Sequence, residues 1–501
     1  MQRIHEAFDA WLARDPARAF LHLPDRDVDF ATLDRLADAL ESELRDGGVR
    51  RGDRVLVVAE NCPEHVALLI ACSRVGAWSC GVNARMAPGE VAAFADKADA
   101  RCVYFTSAVS PAAARHAERF GATPASVPGL ARSAIRAEAR AETGELAERV
   151  AAIIFTSGTT GTPKGVMVTH DGLLHFGRVS AESRQLRPDD RAYAYLPMTH
   201  IFGLGTVLMA SLHAGVSLVM RSQFDAADVL DALARHRVTQ LQGPPTLFSR
   251  LLAHLDDAGI KRPDAPFLRY VYTGAGPLDM PLKRQVEARF GQPLHHGYGL
   301  SEYAGSVHVT PLGQHRDDTS AGTCVEGAEL RIVGPGGSEL PAGERGEIWI
   351  RGRGLMAGYF RDDAATASVM RQPGGWYASG DLGYLDADGA LFVVGRLKEM
   401  IIRSGFNVYP AEVEAALHGF AAIRSAAVVG RPEGDGNEEV LAFVTLKPGF
   451  ELNRAALDVY LREHLAPYKR PARIKVVDAF PMTLSGKVIK RELLATLSPP
   501  A

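Results

Sequence analysis

Residues 155–168 read Phe-Thr-Ser-Gly-Thr-Thr-Gly-Thr-Pro-Lys-Gly-Val-Met-Val. The apolar run 151–155 that leads in has the length and the flanking turn residues of a buried strand. It empties into a loop of Thr156, Ser157, Gly158, Thr159, Thr160, Gly161 and Thr162. Pro163, Lys164 and Gly165 follow, and then a second apolar run. Gly158 and Gly161 permit positive φ and leave backbone N–H groups uncovered. Five hydroxyls, bare amides and one ammonium are the groups that hold a polyphosphate. The loop of the P-loop triphosphatases, Gly, four residues, then Gly-Lys-Ser/Thr, does not fit. Counted from Gly158, Pro163 stands at its second Gly and Gly165 at its Ser/Thr.

Around this loop the chain is long, 501 residues, which speaks against a single small domain. Hydrophobic residues at 47% and charged residues at 23% are those of a globular enzyme. With 56 basic and 59 acidic residues the net charge is −3, no support for a nucleic-acid partner held by a basic surface. Cys62, Cys72, Cys80, Cys102 and Cys324 show no Cys-x-x-Cys spacing and read as reduced, mostly buried thiols, not as a zinc site. Residues 1–11 carry His5, Glu6 and Asp9 where a secretory signal needs an apolar core. No apolar stretch approaches the ~20 residues of a membrane span. A cytoplasmic location is expected.

The first half alternates helix and strand, the pattern of an α/β fold with largely parallel sheets. Leu33, Leu36, Ala37, Leu40 and Leu44 share a helix face that stops at Gly47-Gly48. Strands are predicted at 54–59, 217–220, 238–242 and 270–272, and an apolar helix at 65–75. Residues 132–149 are rich in Ala, Arg and Glu and read as a helix or linker. From 329 onward short strands between Pro/Gly turns predict a small β-rich subdomain. Beyond 397 the texture changes again, with helices at 412–417 and 453–464 and strands at 426–430 and 440–446, a small α+β unit.

Six further segments carry chemistry. They are Leu196-Pro197-Met198-Thr199-His200-Ile201-Phe202-Gly203, Thr273-Gly274-Ala275-Gly276-Pro277-Leu278, and Tyr298-Gly299-Leu300-Ser301-Glu302. Tyr377-Ala378-Ser379-Gly380-Asp381-Leu382-Gly383 and Gly395-Arg396-Leu397-Lys398-Glu399 follow, the latter running on to Arg403-Ser404-Gly405-Phe406. The last is Pro481-Met482-Thr483-Leu484-Ser485-Gly486-Lys487. The Tyr298 segment offers an aromatic plane for a base, a hydroxyl for an anion and a carboxylate for a hard cation. Asp381 offers two acceptor oxygens, suited to a pair of hydroxyls.

Together with the loop at 156–166, these segments resemble the signature motifs of the adenylate-forming superfamily: acyl-CoA synthetases, nonribosomal peptide adenylation domains and firefly luciferase. The motifs stand in that family's order and cover most of the chain. The resemblance implies a large N-terminal body, residues 1–396, of parallel α/β sheets plus the β-rich subdomain. It also implies a smaller mobile C-terminal α+β lid, residues 397–501, hinged near Lys398. It implies ATP, Mg²⁺ and coenzyme A as ligands.

By the same resemblance, Thr156, Ser157, Gly158, Thr159, Thr160, Gly161 and Lys164 hold phosphate. Gly274, Ala275, Gly276, Gly297, Tyr298, Gly299 and Ser301 form the adenine slot and its phosphate side. Tyr298 stacks on the base, Asp381 takes the ribose hydroxyls, and Arg396 contacts ribose or phosphate. Glu302, with Thr156, holds Mg²⁺. Lys487 reaches the acyl carboxylate and the α-phosphate, and His200 sits between acid and nucleotide; Lys487, His200 and Glu302 are the expected catalytic residues. Ser404, Gly405 and Phe406 line the pantetheine tunnel. The acid pocket is expected from His200, Phe202, Gly203, Tyr272, Thr273, His296, Gly297, Tyr303 and Ala304.

The implied reaction has two steps. A carboxylate attacks the α-phosphorus of ATP and releases pyrophosphate; the lid then turns and CoA thiol attacks the acyl-adenylate, releasing AMP. Malonate-type relatives carry an Arg just before the Tyr-Gly motif, where this chain has Gly297, which favours a monocarboxylic acid. Fatty and aryl acids both remain open, and pathway and oligomeric state are not legible. A carrier-protein phosphopantetheine is the alternative acceptor, although no carrier domain follows and 404–410 is more like the free-CoA ligases. An O₂-consuming luciferase-like enzyme and a silent AMP-binding module are the other readings. Intact Lys487, Glu302 and Asp381 speak against the last.

Overall fold

The computed structural model describes residues 2–156, 164–403, 406–434, 437–482 and 488–496. The strand entering the phosphate-loop motif, Val150–Thr156, pairs antiparallel with the strand leaving it, Lys164–Thr169. The two close one side of a seven-stranded sheet. Trp78–Asn83, Arg54–Ala59 and Cys102–Phe105 run parallel to Val150–Thr156 within it. Arg54–Ala59 and Cys102–Phe105 are buried along their whole length, as strands covered on both faces must be. Helix Pro63–Val75 follows the first of these. Pro63 supplies its first turn and Gly76, at φ 83°, ends it in the left-handed conformation.

A second sheet of nine strands lies alongside. Ala19–His22, Ser217–Met220, Arg191–Ala194, Gln240–Gly243, Tyr270–Gly274 and Leu294–Leu300 run parallel in that spatial order. Asp27–Asp29 at one edge and Gly305–Val309 and Thr323–Cys324 at the other are antiparallel. The largest apolar core links the two sheets. It takes Val55 and Val57 from one, Leu218 and Met220 from the other, and Val66, Leu173, Leu204 and Leu208 from the helices between.

The β-rich subdomain is present: Ala328–Val333, Gly346–Gly352, Trp376–Leu385, Met370–Arg371 and Leu391–Arg396 form one sheet. The C-terminal residues build a small α+β unit on a three-stranded sheet of Ile423–Gly434, Asn437–Leu446 and Arg473–Val476. Its own core includes Ile401, Val408, Val413, Leu417, Val428, Val440 and Leu461. Among the described residues no helix is long and apolar enough to cross a membrane.

Two stretches show what the sequence reading left open. Within 132–149 only Gly144–Arg149 is helical. The reason lies elsewhere in the chain. The buried guanidinium of Arg54 takes the carbonyl of Arg140, and that of Arg101 takes those of Arg136 and Ala137, so the backbone is drawn out to meet them. The second is Phe202–Met209, a π-helical segment. Wide helical turns of this kind are frequent at functional sites.

Candidate active site

The open ends of the phosphate-loop hairpin meet at Thr156 and Lys164, which face each other in register; the Thr156 hydroxyl donates to the Lys164 carbonyl at 3.5 Å. Ser157, Gly158, Thr159, Thr160 and Gly161 lie outside the described residues, as do Ser404, Gly405 and Lys487. The ammonium of Lys164 sits 4.6 Å above the ring of Tyr359, within cation–π range. Tyr359 is held there by backbone: Met167 N–H donates to Gly358 O at 3.0 Å and Phe360 N–H to Gly165 O at 2.8 Å.

From that ring the network runs to the carboxylate of the Tyr298 motif. The Tyr359 hydroxyl donates to Glu302 Oε1 at 3.0 Å and lies 3.4 Å from the Tyr377 hydroxyl. Glu302 stands in a short turn, Ser301–Tyr303, directly after strand Leu294–Leu300. Burial raises its carboxyl above the usual range. The same strand carries Tyr298, whose hydroxyl donates to Asp381 Oδ2 at 2.6 Å. Arg396 Nε lies 3.3 Å from the other oxygen, Oδ1. Asp381 and Arg396 face each other across neighbouring strands. Burial first, then the Asp381 charge, hold the Tyr298 phenol well above its ordinary value. Two residues beside these groups are left-handed without being glycine, Ala275 at φ 62° and Ala304 at φ 55°, a conformation that costs about 1 kcal/mol or more.

The cluster expected to form the acid pocket is built differently. The Tyr272 hydroxyl lies 3.3 Å from Ser306 Oγ, and the edge of Phe202 meets its ring with centroids 6.0 Å apart. That phenol fills the space over two glycines. A Cβ on Gly297 would lie 2.3 Å from the Tyr272 oxygen and one on Gly274 would lie 3.1 Å from it. Gly203 presses on the preceding loop, where a Cβ would come within 2.2 Å of Pro197 O. His200 Nδ1 accepts from Phe202 N–H at 3.2 Å, which leaves the proton of the neutral ring on Nε2.

The structure therefore gathers Tyr272, Phe202, Gly203 and Gly297 on one side, with Ala304 against the π-helical segment through Gly205. Thr273 and His296 face each other in register one residue along and hence point to the opposite face of the sheet; His296 Nδ1 meets the Thr319 and Ser320 carbonyls. Tyr303, expected in the pocket, belongs instead to the core under the β-rich subdomain. Its ring packs against Gly352 and Gly354, and its hydroxyl donates to Gly327 O at 3.1 Å. An aromatic one position after a motif carboxylate gives no sign of which side it turns to.

Phe406 stacks on Tyr468, centroids 4.6 Å apart. Lys398 lies in the turn Leu397–Glu399, just after strand Leu391–Arg396. Tyr359 went unnoticed in the sequence. Its only local signal is Gly358-Tyr359, and its place depends on an edge pairing with residues about 190 positions earlier in the chain.

Among the described residues no group of three or more His, Cys, Asp or Glu could cage a metal by itself. One half-buried carboxylate, Glu302, near the Lys164 hairpin has the chemistry for a Mg²⁺ that keeps waters and phosphate oxygens as most of its ligands.

Lys164, Tyr359, Glu302 and Tyr377 thus form one chain of contacts, and Tyr298, Asp381 and Arg396 another. The model of the AMP-binding enzyme family matches residues 8–360 and that of the AMP-binding enzyme C-terminal domain matches 412–487; the chain belongs to this family. It is 35% identical over 470 residues to a feruloyl-CoA synthase of an Amycolatopsis species, covering 93% of each chain. It is 32% identical over 493 residues to 4-coumarate–CoA ligase 1 of Solanum tuberosum, covering 95% of this chain and 90% of that one. Among solved structures it resembles ATP-bound MatB from Rhodopseudomonas palustris, with a TM-score of 0.87, 28% identity and 99% of both chains covered.

Proposed function

We propose that the protein is an AMP-forming carboxylate–CoA ligase acting on an aryl monocarboxylic acid. The observation that carries this is the polar network Tyr298–Asp381–Arg396 and Glu302–Tyr359–Tyr377, which meets the phosphate-loop lysine at one mouth. Tyr298 offers its ring to the base. Asp381, already an acceptor for two donors, exchanges them for ribose hydroxyls. Lys164 and Lys487 bring positive charge to the α-phosphate and the incoming carboxylate, two anions whose approach is otherwise repulsive. Glu302 would hold Mg²⁺ together with the phosphates, and Thr156 is the second ligand in this reading; the ion would neutralise the departing pyrophosphate. His200, with its proton on Nε2, faces the acyl group as a donor.

In the second step residues 397–501 turn about Lys398 as a lid. Lys487 leaves, and Ser404, Gly405 and Phe406 form the pantetheine passage, with Tyr468 supporting Phe406. CoA sulfur attacks the acyl carbon and AMP departs with the electron pair of the anhydride C–O bond.

An aryl acid is favoured over a fatty acid for two reasons. The Tyr272 phenol fills the space over Gly274 and Gly297 and, with Phe202, gives this corner aromatic side chains against which a flat ring can pack. The two curated relatives are named for feruloyl and coumaroyl acids. Gly297 also leaves no cation for a second carboxylate. The test is a panel of benzoic, hydroxycinnamic, arylacetic and C6–C16 fatty acids with ATP, Mg²⁺ and CoA, reading AMP and thioester together. Aryl thioester formation with one AMP per thioester is expected. AMP without thioester would point to a carrier protein, and no AMP with any acid would refute the ligase reading.

A further inference from the structure

The loop that carries His200 is held less by its own sheet than by a side chain from the other one. Strand Arg54–Ala59 ends in Glu60-Asn61, both almost wholly buried. The Asn61 amide reaches across the seam between the sheets. Its Nδ2 donates to Leu196 O at 2.9 Å and, at 3.4 Å, to Ala194 O; its Oδ1 accepts from Met198 N–H at 3.0 Å. One amide thus spans the loop from the end of strand Arg191–Ala194 to the residue two before His200. The donor and acceptor demands fix which way the amide points.

That bracket acts on the acid pocket directly. The Leu196 carbonyl that Asn61 holds is one of the atoms Gly203 is pressed against, 2.5 Å from where its Cβ would be, and Pro197 O accepts from His200 N–H at 3.0 Å. Thr199 is seated on the same side. A Cβ on Gly81, in strand Trp78–Asn83, would lie 2.8 Å from the Thr199 Cα. The neighbouring Glu60 makes a separate crossing, accepting from Gln223 Nε2 at 3.2 Å, which does not touch the loop.

We propose that Asn61 is a positioning residue for the acid-activating step: it sets the height of the His200 loop and, through Leu196, of Gly203 in the pocket wall. This rests on the ligase reading and deepens it. A displacement of about 1 Å in such a loop costs about 10²-fold in rate, while the nucleotide corner, built from other strands, does not feel it.

The experiment uses the full-length protein with Asn61→Ala, Asn61→Asp and, as a control, Gln223→Ala. Hydrogen exchange of a peptide covering 196–204 is read first. Loss of the bracket is expected to speed exchange about tenfold in Asn61→Ala, the worth of about one buried hydrogen bond. In steady state with 4-hydroxycinnamate, kcat/KM for the acid is expected to fall about 10²-fold in Asn61→Ala, with KM for ATP within about twofold of wild type. Asn61→Asp keeps the acceptor for Met198 but sets a buried carboxylate oxygen against the Leu196 and Ala194 carbonyls, so a loss at least as large as in Asn61→Ala is expected; should Asn61→Ala not fold, Asn61→Ser, which is too short to span the bracket, carries the test. Unchanged exchange at 196–204, equal losses for acid and ATP, or the same acid-selective loss in Gln223→Ala would each overturn the inference. Faster exchange in Asn61→Ala alongside a wild type that makes no AMP with any acid would leave Asn61 as the brace of this loop but sink the ligase reading and, with it, the brace's assignment to acid activation.

Discussion

At the nucleotide end, Tyr298, Asp381, Arg396, Glu302, Tyr359 and Tyr377 hold one another by hydrogen bonds and charge; at the acid end, Tyr272, Phe202, Gly203, Gly274 and Gly297 meet almost wholly by shape. Buried polar atoms must be satisfied before any ligand arrives, so the first group is a built network with few substitutes. Apolar walls carry no such demand and tolerate a change of volume at modest cost. Chemistry shared by a whole family should therefore lie in the first group, and choice among acids in the second.

The largest test of that division is Lys487→Ala. Removing one preorganised positive donor is expected to slow adenylation by about 10²–10³-fold. Thioester formation from synthetic acyl-adenylate should be nearly spared. Equal loss in both half-reactions would erase the role given to Lys487. Next is Asp381→Ala. It takes away the acceptor of the Tyr298 hydroxyl and the partner of Arg396. Hydrogen bonds to a charged group contribute about 1.5–3 kcal/mol, so KM for ATP is expected to rise about 10–100-fold, with KM for the acid little changed. An equal rise for the acid would show that the two ends are not separable.

The same division decided what could be read from the sequence. The nucleotide residues sit in short motifs because several backbone and side-chain demands fall on neighbouring positions. The parallel α/β order, the β-rich subdomain and the α+β unit were legible through hydrophobic period and Pro/Gly punctuation. What stayed hidden is non-local. Tyr359 owes its place to an edge pairing, Asn61 to the seam between sheets, and the extended path of 132–143 to two buried arginines far away in sequence. The side to which Tyr303 turns is likewise set by the glycines at 352 and 354 and not by its motif.

Acid should act in opposite directions on two groups beside strand Leu294–Leu300, His308 and Glu302. His308, on strand Gly305–Val309, donates from Nδ1–H to Gly322 O at 3.0 Å, and burial pulls its pKa down to about 4 from 6.5. The unfolded chain therefore takes up this proton first, and stability is lost as pH falls from about 6.5 to about 4. Glu302 behaves in the reverse sense. Its folded pKa is raised above 4.5, so the folded state binds the proton first and gains stability as pH falls from that raised value toward 4.5. His308→Gln keeps a group able to meet Gly322 O and removes the titration. Wild type is expected to lose about 2 kcal/mol more than His308→Gln between pH 7 and pH 5. Thermal melts at the two pH values check this, and parallel losses would show that His308 is not kept neutral.

The finest cut is at Tyr272, and it bears on which acid is used. Its phenol lies where side chains on Gly274 and Gly297 would be, and Ser306 Oγ at 3.3 Å helps hold it there. If shape alone limits the acid, then trimming this ring should change choice and not chemistry. Tyr272→Ala is expected to shift the ratio of kcat/KM for ferulate over benzoate by about tenfold toward ferulate, the scale that a hydrophobic pocket commands. KM for ATP should move less than the acid ratio, because the ring touches the nucleotide side only through the backbone of Gly274 and Gly297. Tyr272→Phe removes only the oxygen nearest Gly297 and the bond to Ser306, so a smaller shift in the same direction is expected. The pair separates two explanations of any change. A loosened sheet would lower kcat/KM for both acids alike, whereas a lifted roof favours the longer acid alone. A ratio unmoved in both variants would place the limit on acid length somewhere other than this tyrosine.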